Sequence, residues 1–407
     1  MTSSEIQGRR PGYKAFFFLL IIVATITFLT TFLLFNVRDR KEEGKEVSFR
    51  LADLSEETID PAIWGRNFPR QYDGYKRTVD TVRTHFGGSE AFDKLESEPA
   101  LKRIFAGYAF SIDYREERGH AFMLSDQDMT KRVTERKQPG ACLHCHSSII
   151  PAYRKAGNGD VMKGFEIVCG MDYKDARLLV DHPVACIDCH DPKTMDLRVT
   201  RPGFLIGIKE YMKTKGISNY DPNVSATRQE MRSYVCGQCH VEYYFKGDHK
   251  LLTYPWSRGI KVEQIEAYYD SAGFKDWVHA ETGAPVLKAQ HPEFEMWSQG
   301  IHSRSGVACA DCHMPYMRDG AVKISDHYVR SPLLNVSRAC QTCHPQPEEE
   351  MKARVDLIQT RTRELLTRGE EALVKLYDEV KNAKLRGAGD QALASSLALQ
   401  RKAQFRL

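Results

Sequence analysis

Three kinds of hydrophobic pattern follow one another along the chain. Residues 15–35 read AFFFLLIIVATITFLTTFLLF, 21 residues without a charge. A helix rises about 1.5 Å per residue, so about 20 such residues cross the hydrocarbon core of a bilayer. Near the other end, Met351, Val355, Ile358, Leu365, Gly369, Leu373, Leu376 and Val380 recur mostly every three or four positions, with charges between them. That period predicts a long amphipathic helix. Residues 384–389, with two glycines, predict a turn, and a second helix starts near Asp390 and is still running at Leu407. It meets no Gly or Asn cap and no Pro stop. Residues 63–345 keep neither period for long and are rich in Gly, Pro, His and aromatics, which predicts short helices joined by long loops. The expected architecture is mainly α. It has an N-terminus at 1–14, a transmembrane helix at 15–35, a charged tether at 36–62, a main domain at 63–345 and an incomplete helical region at 346–407.

Charge adds little. The 407 residues carry a formal net charge of +4 and no long basic run, which argues against a nucleic-acid surface. Cysteine changes the picture. Ten of the 11 cysteines fall in five copies of one pattern: Cys142-Leu-His-Cys145-His146, Cys186-Ile-Asp-Cys189-His190, Cys236-Gly-Gln-Cys239-His240, Cys309-Ala-Asp-Cys312-His313 and Cys340-Gln-Thr-Cys343-His344. C-x-x-C-H is the attachment signature of c-type haem. Each cysteine forms a thioether to a vinyl group, and the adjacent His becomes the proximal iron ligand. Zinc would need about four ligands from paired motifs, and five separate units do not pair. Disulfides would not require a His after every second Cys. The expectation is five haems c. Cys169 is left over and reads as a buried free thiol.

The apolar stretch at 15–35 is longer than a signal-peptide core, and no small-x-small cleavage site follows it. It reads as an uncleaved signal anchor. Lys and Arg flank it on both sides, with Arg9, Arg10 and Lys14 before and Arg38, Arg40, Lys41 and Lys45 after, so charge does not orient it. Haem attachment does. The thioether-forming machinery works outside the cytoplasm, so residues 1–14 are expected in the cytoplasm. The main domain is expected on the periplasmic, extracytoplasmic side of the cell membrane.

A haem with two His ligands only passes electrons, whereas one with an open axial position can transform a small molecule. Nine of the 14 histidines lie outside the motif positions, so ligand counting alone does not separate a wire from an enzyme. The stretches YREERGHAF (114–122), CGQCHVEYYF (236–245), LKAQHPE (287–293) and SGVACADCHMP (305–315) are more informative. Together they make the chain, from about Asn67 to Leu407, resemble the ammonia-forming pentahaem cytochrome c nitrite reductases. The resemblance implies six-electron reduction of nitrite to ammonium at one open haem fed by four electron-transfer haems. It implies that Arg118, Tyr243 and His291 form the distal pocket. It also implies a calcium ion held by the side chains of Glu242 and Gln290 and the backbone carbonyls of Tyr243 and Lys288. His120, His302 and His327 would cap three electron-transfer haems, with no assignment of which to which. His85, His144, His182, His249 and His279 read as ordinary polar residues. The chemistry suits those roles: a fixed Arg stabilises an anion, a His delivers protons near neutral pH and calcium takes oxygen donors.

Two departures from the family stand out. Most members have Lys where this chain has His146, although a minority carry His there. Members also continue past the point where this sequence stops, supplying a fourth distal His and more of the helices that form a homodimer. A truncated chain with one haem short of its family ligand and weakened dimerisation is expected. In the family a quinol-oxidising multihaem cytochrome often donates the electrons. The rival functions are a multihaem electron-transfer cytochrome, a related hydroxylamine or sulfite reductase, and a haem scaffold of a respiratory complex.

Overall fold

The computed structural model describes residues 12–43, 50–88, 90–319 and 322–407. They fall into two units that divide between Leu51 and Ala52.

The first unit is a helix, Tyr13–Glu43. Its Tyr13–Arg40 portion reaches a mean hydropathy of 2.6 with none of it buried, long and apolar enough to cross a membrane. Thr25, Thr27 and Thr30 each donate a hydroxyl to the carbonyl four residues back at 2.8 Å. Their polar groups are thus satisfied inside the helix, as a lipid environment requires. The helix outruns the apolar stretch, so residues 36–43, expected in the tether, are helical. Residues 1–11 of the expected N-terminal segment and 44–49 of the tether lie outside the described residues.

The second unit is mainly helical, as the pattern predicts. Among the described residues its strands form only two-stranded sheets. Helices stay short up to Val336–Ala339 and then give way to Glu348–Leu385 and Asp390–Arg406. Short helices depend on their ends. Asp60, Asp93, Asp160, Asp172 and Asp221 each accept a backbone N–H in the first turn that follows, each contributing about 1 kcal/mol. Helices Ile150–Ala156 and Val161–Gly170 cross at Gly164, where a Cβ would lie 1.7 Å from the Tyr153 carbonyl oxygen. Only glycine permits that approach. The crossing belongs to the main apolar cluster of Leu143, Tyr153, Phe165, Val168, Phe204, Val241 and Trp256. Cys169 lies in this cluster as a fully buried free thiol.

The C-terminal helices pack on a second cluster. Leu373, Tyr377, Val380 and Leu397 meet Leu95, Leu101, Ile104, Trp277 and Val286. Gln404 donates to the Ile104 carbonyl at 2.7 Å and receives the Tyr377 hydroxyl. The amphipathic stripe is real but only its second half is buried. Ile358 and Leu365 are 55% and 62% exposed, whereas the second half of the helix packs on the body, where Arg363 pairs with Glu98 at 2.8 Å.

Candidate active site

The third motif is positioned by its helix. Thr227 and Glu230 form a reciprocal capping box at the start of Arg228–Gly237, and Cys236 lies in the last turn. The chain then runs through Val241, Glu242 and Tyr243 into strand Tyr244–Lys246, which pairs with Leu251–Thr253. Successive residues of an extended chain face opposite ways. Tyr243 packs on the cluster that holds Leu143, Cys142 and Cys145, whereas Tyr244 packs on Tyr269 and Phe274. Tyr243 is thus brought to the first motif, about a hundred residues earlier in sequence.

Tyr243 and His291 stand face to face, ring centres 6.3 Å apart and planes 16° apart. Burial, followed by the neighbouring Cys142, pushes the Tyr243 phenol well above its ordinary range, so it remains a hydrogen-bond donor. His291 is half exposed, with Nδ1 3.9 Å from Glu293. Arg118 is held differently. Its backbone N–H, Nε and Nη2 all donate to the fully buried carboxylate of Asp126, at 3.0, 3.0 and 2.6 Å. Its guanidinium lies over Phe122. One edge of the fork is fixed by Asp126, which leaves Nη1 to address a ligand. Arg118 is therefore anchored on its own segment, while Tyr243 and His291 are in mutual contact.

The first motif itself sits in a 3-10 turn, Gly140–Cys142, followed by helix Leu143–His146. Leu143 and His144 are fully buried, and His144 Nδ1 lies 3.0 Å from the Tyr153 hydroxyl. His146 Nδ1 lies 3.0 Å from Glu117. Burial works against a charge on His146, but the Glu117 carboxylate outweighs it and raises the imidazole above its ordinary value.

Of the expected calcium donors, Glu242, Gln290 and Lys288 lie together. Glu242 is 1% exposed. It accepts the Tyr269 hydroxyl at 2.8 Å and the Gln290 N–H at 2.5 Å. Gln290 Nε2 reaches the Lys288 carbonyl at 3.4 Å. Burial drives Glu242 well above the usual carboxylate range, Asp276 up to about 6 and Glu295 up to about 8. Lys288 donates its backbone N–H to Asp276 at 2.9 Å, and its ammonium lies 3.3 Å from Gln290 Oε1 and 2.9 Å from the Ala289 carbonyl. Such an acid-rich, oxygen-lined spot suits a hard cation.

The remaining histidines arrange themselves in pairs. The His190 and His327 rings are 6.3 Å apart, and the His302 and His344 rings are 6.2 Å apart. Two imidazoles on opposite sides of one metal, each with a metal–nitrogen bond of about 2.0 Å, have ring centres roughly 6.3 Å apart. Both pairs are thus spaced to hold an iron between them, and the C-x-x-C-H residues fit haem. Burial, followed by the neighbouring His240, lowers His120 to about 4, and burial lowers His190 similarly to about 4. Neutral imidazole is the form that ligates metal. His313 has no ring partner at such a spacing among the described residues; its Nδ1 faces the Arg330 carbonyl at 3.1 Å.

Cysteines of different motifs are also neighbours. Cys145 and Cys239 perturb each other most strongly, as do Cys236 and Cys309, and Cys312 feels Cys340. In space the motifs run first, third, fourth, fifth, with Cys189 of the second beside the third. His85 pairs with Asp356, and His279 lies 2.9 Å from the Arg103 carbonyl.

Two residues that matter here carry no sequence signal of their own. Glu117 and Asp126 lie beside or near Arg118 in a segment rich in charge, and only the fold singles them out.

The family model for cytochrome c552 matches residues 60–407. A cytochrome c-552 from Parabacteroides distasonis is 42% identical over 348 residues, covering 84% of this chain and 67% of the relative. One from Aliarcobacter butzleri is 34% identical over 408 residues, covering 97% of this chain and 78% of the relative. The solved cytochrome c nitrite reductase of Desulfovibrio desulfuricans, whose catalytic subunit has two calcium sites, superposes with a TM-score of 0.75 at 30% identity. It covers 87% of this chain and 79% of that one.

Proposed function

This chain belongs to the cytochrome c552 family, and from that premise we propose that it reduces nitrite to ammonium at the haem of its first motif. The balance is six electrons and eight protons in, one ammonium and two waters out. The observation that carries the reading is the Tyr243–His291 pair stacked beside the cysteines of that motif.

Haem, when bound, supplies an iron that holds nitrite on its free face and passes it electrons. The chain's own residues do the rest. Arg118, clamped by Asp126, presents one guanidinium edge to the anion without reorganising. His291, half exposed, relays protons from solvent toward the substrate. The Tyr243 hydroxyl, protonated throughout, donates a hydrogen bond to substrate oxygen or nitrogen. Glu242 and Gln290, with the carbonyls of Tyr243 and Lys288, would hold calcium, whose charge offsets the buried acids and fixes Tyr243 and His291 on either side.

Five haems are proposed. His190 with His327, His344 with His302 and His240 with His120 would hold three haems that pass electrons, and His313 would hold a fourth. The helix Tyr13–Glu43 would anchor the enzyme with its haem domain outside the cytoplasm. A multihaem quinol-oxidising cytochrome would donate electrons. The exposed Leu357, Ile358 and Leu365 of the long helix would meet a second copy in a homodimer.

The test is ammonium yield from nitrite with a strong artificial donor, with hydroxylamine and sulfite run in parallel. Ammonium accounting for the electrons consumed is expected, and no ammonium would refute the reading. Faster turnover of sulfite or hydroxylamine would reassign the substrate.

A further inference from the structure

The motif histidines differ in what their second ring nitrogen meets. His190 Nδ1 faces the carbonyl of Met195 at 3.0 Å, and His313 Nδ1 faces that of Arg330 at 3.1 Å. Both partners are neutral. His146 Nδ1 instead lies 3.0 Å from the carboxylate of Glu117. The two side chains are only 22% and 14% exposed, so solvent screens the contact little. Their approach is off the N–H axis, which leaves His146 Nδ1 and Glu117 Oε1 buried without a hydrogen bond. Arg132 lies 3.7 Å from Glu117 Oε1 and is itself held by Gln127 and the Asp113 carbonyl. Its positive charge thus faces the carboxylate.

We propose that Glu117 is a positioning residue for the reaction: its carboxylate takes the Nδ1–H of His146, fixes the ring, and makes that imidazole a stronger electron donor to iron than its counterparts at the other motifs. A metal-bound His commonly donates its other N–H to such a partner, and a carboxylate raises ligand basicity more than a carbonyl does. Hydrogen bonding around the axial ligand is one of the protein's levers on haem potential. Greater donation stabilises the ferric state and gives the ferrous state more density to place on a bound N–O group. One short segment thus carries two controls: Glu117 acts through His146, and Arg118 acts on the anion. The inference rests on the reading of His146 as the ligand of the reacting iron.

The test is resonance Raman of the ferrous full-length holoprotein, together with the midpoint potential of its high-spin haem, in wild type, Glu117→Gln and Glu117→Asp. In Glu117→Gln the iron–His stretch should fall in frequency. The ferric-to-ferrous ratio at fixed poise should drop about tenfold, equivalent to about 59 mV for one electron. The low-spin haems should not move. Glu117→Asp, which keeps the charge at longer reach, should shift the same way by less. An unmoved stretch and potential in Glu117→Gln overturn the proposal. If that variant does not assemble, Glu117→Asp decides, and a band at the wild-type position overturns it. If wild type itself shows no five-coordinate iron–His band, the functional reading has failed and the proposal falls with it.

Discussion

The first and fifth C-x-x-C-H motifs are spelled alike and live in opposite surroundings. Leu143 and His144 of the first are fully buried, and Tyr243, Glu117 and the main apolar cluster enclose the motif. Gln341, Thr342, Cys343 and His344 of the fifth are all exposed. The motif alone specifies attachment; the surroundings specify what the attached group can do. A buried site strengthens every charge aimed into it and admits protons only where a residue such as His291 carries them. An exposed site suits exchange of electrons with a docked partner. The cysteine neighbours lead from one to the other through the third and fourth motifs.

That contrast can be broken by mutation. Arg118→Ala should cut nitrite turnover by a factor on the order of 10²–10³ while leaving the spectrum of the His302–His344 haem unchanged. Full activity in that variant would remove the chemistry from the first motif. Asp126→Asn should cost roughly 10–100-fold, mostly in kcat, because Arg118 keeps its charge and loses its aim. A pure KM effect would mean that Asp126 does not orient it. Gly164→Ala should lower stability by about 1–3 kcal/mol, read by thermal denaturation, since the new methyl meets the Tyr153 carbonyl. At the exposed end, His302→Ala should convert one low-spin haem to high spin by electron paramagnetic resonance. It should slow turnover less than about tenfold with a small artificial donor, since electrons can enter elsewhere.

The smallest effect concerns the Arg103–Glu281 ion pair, whose arginine also reaches Asp378 of the long helix. Hydrogen bonding to Arg103 holds the Glu281 carboxyl below its ordinary value of 4.5. Its contribution is therefore complete above about that pH and is lost as pH falls through the folded value. Glu281→Gln should lower stability at pH 7 by under about 1 kcal/mol, read as a small drop in Tm. Its difference from wild type should vanish in acid. A gap that persists there would assign the effect to packing.

Much of this was legible before any coordinates. The motifs name the attachment residues outright, because the chemistry requires that spacing. The long helices follow from their period, and Tyr243, His291, Glu242 and Gln290 sit in stretches specific enough to be singled out. What was not legible is partnership across the chain. Nothing in YREERGHAF says that Glu117 meets His146 or that Arg118 waits on Asp126, since charged residues there read equally as a solvated surface. The histidine pairs were equally hidden: His190 and His327 lie over a hundred residues apart, and only folding puts their rings 6.3 Å from each other. The stripe on the long helix misled in part, because amphipathic period reports a face that can be buried without saying by what.

The central claim is that the first motif alone holds the reacting haem. Its most direct test is ammonium yield from nitrite, with a strong artificial donor, in wild type and in Cys142→Ala/Cys145→Ala, each checked for the low-spin haem signals. The expected result is ammonium from wild type and none from the variant, with those signals retained. Equal ammonium from both would contradict it.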